Sequence, residues 1–185
     1  MPDARAPKRR ASALAQLTST EAAEILTQLL EAHPALRVEA EGLARGMLDE
    51  VSAAILADEI ETDLRALGID DLNERAGPHR GGYTDPGDAA WELLNEALDR
   101  YIQDLRRRLA TGRDRAAMEM LRGILAGLYA VRDDEGGGGV LDWAPDFPQE
   151  AAAKVARIWR DAGRALPREA LDEGVPDWAG GIARG

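Results

Sequence analysis

Apolar residues recur at three- and four-residue steps along most of this chain, with charged residues between them. Residues 85–132 carry the clearest pattern, two apolar stripes separated by Thr111-Gly112. The first stripe comprises Leu94, Leu98, Tyr101, Leu105 and Leu109, and the second comprises Ala117, Leu121, Ile124, Leu125 and Leu128. Residues at this spacing occupy one face of an α-helix. The pattern predicts two long helices joined by a short turn into an antiparallel hairpin.

The start of the first long helix has its own local signals. Asp85 suits the N-cap position because its side chain can accept a hydrogen bond from a backbone N–H of the first turn. Pro86 suits the first helical position, where its missing N–H would have no partner anyway. We therefore expect this helix over residues 86–110.

Two shorter helices are predicted nearer the N-terminus. Thr18 and Glu21 have the spacing of a capping box ahead of an apolar run, so the first should begin there and end near Ala32-His33. Pro34 should stop it and start the next. The apolar positions are Ile25, Leu26, Leu29 and Leu30 in the first helix and Leu36, Val38, Leu43 and Met47 in the second.

A third helix is predicted from about Glu50 to Leu67, capped by Asp49 and ended by Gly68 in the left-handed conformation. Its apolar stripe is Val51, Ile55, Leu56, Ile60, Leu64 and Leu67. Glu59 and Asp63 lie four residues apart on the same helix. Paired carboxylates support acid–base chemistry when burial separates their pKa values. We expect an exposed acidic face instead, because the apolar stripe marks the inner side.

The remaining segments are more irregular. Residues 69–84 and 133–148 hold the glycines and prolines that break regular structure, with a single turn expected at residues 70–75. A helix over 149–162 and a short one starting at Pro167 follow. The predicted organisation is a disordered basic tail at residues 1–11, a single helical domain at 12–174 and an extended C-terminal tail at 175–185.

Composition agrees with an all-α fold. Hydrophobic residues make up 45% of the 185 residues and aromatics only 4%, so the core must consist mainly of leucine, alanine, isoleucine and valine. The predicted architecture is a set of antiparallel helical hairpins, forming either a bundle or a short α-hairpin repeat array. The basic N-terminus lacks an apolar signal region, and residues 123–131 are too short to cross a bilayer. These features predict a cytoplasmic protein.

Charge limits the classes of partner. The formal net charge is −11, and residues 1–10 contribute +3, which leaves −14 for the remainder. Nucleic acids and anionic lipids bind proteins through lysine and arginine, so an acidic body disfavours both. We expect no direct nucleic-acid binding and no membrane binding.

No metal or cofactor is predicted. The chain has no cysteine, and its two histidines lack the Glu-x-x-His or His-x-x-x-His spacing of helical metal sites. The acidic run at residues 133–135 is followed by glycines and lacks the alternating ligands of a calcium loop, so we expect a solvated loop.

Two basic clusters are candidate contacts for an anion or a partner. The first, Arg75, His79, Arg80 and Tyr83, precedes a helix N-terminus, where free N–H groups attract anions. The second surrounds the hairpin turn and includes Arg106, Arg107 and Arg113, with Arg108 and Arg115 beside them. The alternative for the second cluster is that cations simply stabilise a helix C-terminus.

From Gly82 onward the chain resembles uncharacterised bacterial helical proteins. The motifs are Gly-Tyr-Thr-Asp-Pro, Ala-Ala-Trp-Glu-Leu-Leu, Gly-Ile-Leu-Ala-Gly-Leu-Tyr, Arg-Asp-Asp-Glu-Gly and Trp-Ala-Pro-Asp-Phe-Pro. Over roughly residues 34–163 it is also similar to the helical-repeat region that accompanies SWIM-type zinc-finger domains. The zinc ligands of that finger are absent, so neither zinc nor its nucleic-acid role is implied. The resemblance implies an α-hairpin fold.

Function is expected to be protein–protein interaction, as an adaptor or accessory subunit that binds another protein or forms a homo-oligomer. Stacked helical hairpins expose long surfaces suited to binding, and no catalytic set stands out. One alternative is a small-anion-binding enzyme with a pocket near Arg75, His79, Arg80 and Tyr83. Another is a regulator of a nucleic-acid process that acts through protein contacts.

Overall fold

A computed structural model describes residues 13–132, 139–168, 171 and 174–182. The predicted tail at residues 1–11, the acidic loop at 133–138 and part of the short helix expected from Pro167 lie outside these residues. The fold is all-α, with one small two-stranded sheet. Backbone contacts divide the chain into two compact units, Met1–Met47 and Leu48–Gly185.

The first unit contains a 3₁₀ turn at Ala13–Gln16 and helix α1 at Ser19–Ala32, and most of helix α2 (Leu36–Asp49). The predicted capping box is confirmed. The Glu21 N–H donates to Thr18 Oγ1 at 3.3 Å, and the Thr18 N–H donates to Glu21 Oε2 at 2.8 Å. Despite this local order, neither α1 nor α2 contains a buried residue.

The second unit contains the remaining elements and the core. In chain order they are α3 (Ala53–Arg65), α4 (Ile69–Arg75), β1 (Gly77–His79), β2 (Gly82–Thr84), α5 (Pro86–Ala110), α6 (Asp114–Ala130), a 3₁₀ turn (Val140–Trp143), α7 (Phe147–Asp161) and α8 (Ala179–Ile182). The buried side chains of α3, α5, α6 and α7 form one continuous apolar cluster.

The hairpin of α5 and α6 matches its prediction closely. Asp85 caps α5 by accepting the Gly87 N–H at 2.8 Å, and Pro86 is its first residue. Gly112 in the turn has a φ of +68°, a conformation that a residue without a Cβ adopts easily. Leu98, Leu105, Leu121 and Leu128, chosen from the two stripes, are each at most 1% exposed.

Helix α6 also packs closely against α3, and two glycines make this possible. A Cβ added to Gly123 would lie 2.8 Å from the Ala53 carbonyl oxygen, and one added to Gly127 would lie 2.8 Å from Ile60 Cβ. These residues are one helical turn apart on α6. Their missing side chains let the backbones of the two helices approach each other. The hairpin is therefore completed by a third helix.

Helix α3 differs from its prediction at both ends. It begins after Ser52, whose Oγ accepts the Ile55 N–H at 3.5 Å, because Asp49, the predicted cap, is the last residue of α2. The carboxylate of Asp49 contacts Arg113 instead. Gly68 is not left-handed: its φ of −96° and ψ of 172° are extended. Its N–H donates to Asp71 Oδ2 at 2.8 Å, so Gly68 starts α4 rather than terminating α3.

The inner face of α3 is narrower than predicted. Leu56, Ile60 and Leu64 are buried at four-residue steps, whereas Ile55 is 62% exposed. A helix contacted mainly along one line buries one row of side chains, and the residue before that row points about 100° away from it. Ile55 therefore does not mark the inner face, although the neighbouring Glu59 is exposed as expected.

Residues 69–84 are more regular than predicted. Buried Leu72 anchors α4 where a single turn was expected. Strands β1 and β2 then pair antiparallel, with Gly77 opposite Thr84 and His79 opposite Gly82. The two glycines have φ values of +95° and +141°, so the same residues that discourage helix here allow this short hairpin.

The described part of the C-terminal segment, residues 174–182, differs from the extended tail expected over 175–185. Val175 and Ile182 are buried, and a turn leads into α8 between them. The ring of Trp178 meets the ring of Tyr129 edge to face, with 5.1 Å between centroids. These apolar contacts favour a compact turn over an extended chain.

Candidate functional site

Arg75, the first member of the predicted anion cluster, is held by α5. Its Nη1 and Nη2 atoms donate to the two carboxylate oxygens of Glu96 at 2.7 and 2.9 Å. This bidentate hydrogen bonding raises the pKa of Arg75 and lowers the pKa of Glu96. An anion at this position would therefore compete with an internal carboxylate.

The other three members of that cluster lie on the β1–β2 hairpin. His79 Nε2 is 2.8 Å from Thr84 Oγ1, and Arg80 is exposed in the connecting turn. The side chain of Tyr83 is 68% exposed. The structure thus brings His79, Arg80 and Tyr83 onto one small hairpin, where their side chains are accessible to solvent.

The predicted cluster at the α5–α6 turn is partly neutralised by acids. Arg107 Nη2 lies 2.5 Å from Asp104 Oδ1, and Arg113 Nη1 lies 2.5 Å from Asp49 Oδ1. Arg106 is exposed on the same helix. A cleft of about 550 Å³ opens at this turn, and its lining includes Arg113 and Arg115 as well as Asp49 and Asp114. The mixed charges give this cleft no strong preference for an anion.

Arg108 belongs to the core although the sequence places it among surface arginines. It is 4% exposed, its Nε donates to the Leu48 carbonyl at 3.0 Å, and its guanidinium forms an ion pair with Asp104. Leu105 and Leu109, three residues before it and one after, are buried on the same side of α5. The helical period could have revealed this position.

Asp63, half of the carboxylate pair noted on α3, contacts α5. The Tyr101 hydroxyl donates to Asp63 Oδ2 at 2.6 Å, and Arg100 contacts both groups. Burial of the phenol is the largest cause, and the hydrogen bond to Asp63 the second, of a rise in the pKa of Tyr101 to about 12. The arrangement joins α3 to α5 through polar contacts.

The sequence pattern places α1 and α2 in the helical domain, but it does not reveal how much apolar surface they expose. The exposed fractions of their larger aliphatic side chains run from 39% at Leu36 to 79% at Val38. The exposed set comprises Ile25, Leu26 and Leu29 on α1 and Leu36, Val38, Leu43 and Met47 on α2. We call the α1 members of this set, together with half-buried Leu30, the α1 apolar face.

The polar side of α1 is uniformly acidic. It carries Glu21, Glu24 and Glu31 and no basic residue. Apolar residues at three- and four-residue steps beside such charges form an amphipathic helix. A binding partner would therefore meet an apolar stripe on a helix whose charged residues are all acidic.

Neither a metal site nor a membrane segment is found in the part of the chain that the structure describes. No group of three or more histidine, aspartate or glutamate residues there is placed to hold a metal ion. None of the helices there has the length and apolar character needed to cross a bilayer.

Comparisons with family models, with curated proteins and with solved structures find no match to this chain. The similarity to the helical region of SWIM-associated proteins therefore stays a prediction.

Proposed function

We propose that this protein is a protein–protein interaction adaptor or accessory subunit, and that its partner binds the α1 apolar face. The observation that carries the proposal is the absence of any buried residue in α1, although its sequence has the pattern of a helix that packs. Exposed apolar surface of this kind is typical of interaction sites.

The energetics favour a partner on this face. Fully burying a leucine or isoleucine side chain contributes about 1.5–3 kcal/mol. Ile25, Leu26 and Leu29 are 41–50% exposed, so a substantial part of that free energy is still to be gained. An isolated helix of 14 residues is marginal in water, so covering the apolar stripe would also stabilise α1 itself.

Charge indicates the kind of partner. Because the charged residues of α1 are Glu21, Glu24 and Glu31 and none is basic, a positively charged helix complements it best. A second copy of α1 would place acids opposite acids, and an anionic membrane would be repelled. We therefore assign the face to an amphipathic helix with lysine or arginine beside its apolar stripe.

The test is affinity purification from the native cell with two matched variants. Leu29→Glu places a charge in the apolar face, whereas Thr27→Glu places the same charge on the opposite side of the helix. We expect one protein to co-purify with the wild type and with Thr27→Glu, and to be lost with Leu29→Glu. The purified partner should then bind the wild type directly, with a Kd measured by calorimetry.

Two results would contradict this function. If Leu29→Glu and Thr27→Glu retain the same set of proteins, the α1 apolar face is not the binding surface. If light scattering shows that the wild type is a dimer and Leu29→Glu a monomer, the face belongs to a second copy. Circular dichroism of both variants checks that the fold is intact.

The two alternative functions receive less support from the geometry. An anion pocket needs unneutralised cations, whereas Arg75 is engaged by Glu96, and His79, Arg80 and Tyr83 lie on an open hairpin. A nucleic-acid regulator acting through protein contacts would still use an interaction surface, so the same purification would identify its partner.

A further inference from the structure

A groove runs along the outer side of α3 in the second unit. Two adjoining cavities of about 280 and 270 Å³ share Ile55 and Glu59 in their linings. Together they extend from Ser52 to Asp63, a distance of roughly 16 Å at 1.5 Å per residue. We call this surface the Ile55 groove.

The floor of the groove is apolar. Leu56 and Met120 are buried beneath it, Val51 is half-buried, and Ile55 is 62% exposed within it. An exposed isoleucine beside buried neighbours gains further burial when another molecule fills the groove. The apolar floor also excludes a simple ion as the occupant, since burying a charge against apolar atoms is unfavourable.

The rim of the groove is acidic. Glu50, Asp58 and Glu59 are exposed, and none of them forms an ion pair within the described residues. Asp63 and Asp104 are also at the rim but are paired with Arg100 and Arg108. Three carboxylates therefore remain to attract positive charge.

We infer that the Ile55 groove is a docking site for a basic helical segment of another protein, which inserts an aliphatic side chain beside Ile55 and places lysine or arginine near Glu59. The groove is about three helical turns long, which is enough for the i, i+4 and i+7 anchors of a helix bound in a groove, a span of about 10 Å. This site goes beyond the proposed function, since it uses none of the residues of α1.

The test is a titration of the ¹⁵N-labelled full-length protein with a synthetic helical peptide of about 15 residues, roughly 22 Å long. The peptide carries leucine at i, i+4 and i+7 and lysine elsewhere. We expect amide shifts to concentrate at Val51–Asp63 and around Asp104 and Met120. Affinity should fall as salt is raised, because the rim charges are exposed.

Substitutions separate the apolar contact at Ile55 from the charge contact at Glu59. Ile55→Ala should weaken binding about tenfold, and Glu59→Gln should weaken it severalfold at low salt. Ile69→Ala and Glu74→Gln remove an exposed isoleucine and an exposed glutamate outside the groove, so they should leave affinity unchanged. All four positions are exposed, so none of these changes should disturb the core.

Three outcomes would overturn the inference. Equal binding of a peptide with serine in place of leucine would indicate charge attraction alone. Shifts confined to α1 and α2 would assign the peptide to the other surface and leave the proposed function standing. A wild-type dimer that Ile55→Ala converts to a monomer would show that a second copy fills the groove.

Discussion

The hydroxyl of Tyr101 is held between a carboxylate and a guanidinium where α5 meets α3. The residue is 5% exposed, and the centre of its ring lies 4.5 Å from the Arg100 guanidinium carbon. A buried neutral phenol that donates to Asp63 is favoured over the charged phenolate, which would lose that hydrogen bond and face a like charge.

This contact predicts a pH dependence. The folded pKa of Tyr101 is raised to about 12, above the value near 10 of an unfolded tyrosine. The stabilisation is therefore complete below pH 10 and is lost as pH rises through 12. The difference between the ultraviolet titrations of the wild type and Tyr101→Phe should have its midpoint near 12. A midpoint near 10, with helicity intact, would contradict the contact.

Single leucines in the hairpin should be essential for stability. Leu105 and Leu121 are fully buried, so Leu105→Ala or Leu121→Ala should cost about 2–5 kcal/mol through lost contacts and a cavity. Arg107→Ala changes an exposed side chain and should stay within about ±0.5 kcal/mol. Thermal unfolding measures both, and an unchanged melting temperature for the leucine variants would show that this stripe is not core.

The periodic leucines could be predicted because their stripe is long and its period unambiguous. The exposure of Ile55 could not be predicted, because whether a residue at the edge of a stripe is covered depends on which helices pack beside it. Arg108 is a harder case. Its charge suggests a surface position, whereas in the structure it is buried, with an ion pair to Asp104 and a hydrogen bond to the Leu48 carbonyl.

At the scale of elements, close packing of α3 and α6 depends on two positions with no side chain. Gly127→Ala should therefore destabilise the fold. The added Cβ would lie 2.9 Å from the Ala57 carbonyl oxygen, and overpacking typically costs about 1–3 kcal/mol. Alanine offsets this by about 1 kcal/mol through its better helix propensity. We expect a lower melting temperature from calorimetry.

Gly42→Ala is the matched control for that prediction. Gly42 lies in α2, and nothing surrounds its Cβ position within 4 Å. Only the gain in helix propensity remains there, so helicity should rise or stay constant. If Gly127→Ala were as stable as the wild type, the two helices would have to be farther apart than the structure places them.

Element boundaries were predictable where capping signals stand alone. Asp85-Pro86 starts α5 as expected because no competing cap lies nearby. Asp49 and Ser52 are both capping residues near the start of α3, and Ser52 is the cap because α2 continues through Asp49. The β1–β2 hairpin could not be predicted, because strands of three residues are too short to show an alternating pattern.

For the whole molecule, every buried side chain of the described residues lies between Leu56 and Ile182. A fragment of residues 48–185 should therefore fold alone, with a melting temperature close to that of the full chain. Calorimetry of the two proteins tests this expectation. A fragment that is unfolded, or that melts much earlier, would show that the first 47 residues contribute to the stability of the core.

The sequence predicts the all-α class well, since apolar stripes at helical spacing recur along the chain. It does not separate stripes that are buried from stripes that stay exposed. Ile25 and Leu29 on α1 have the same spacing as Leu94 and Leu98 on α5, yet only the second pair is buried. Burial depends on what the other helices leave uncovered.

A helix with no buried residue opens at little cost, so the amides of α1 should exchange with solvent far faster than those of α5. A partner that immobilises α1 must therefore offset the conformational entropy that the helix loses on binding, and this cost lowers the net affinity. Association through this surface is expected to be short-lived and reversible.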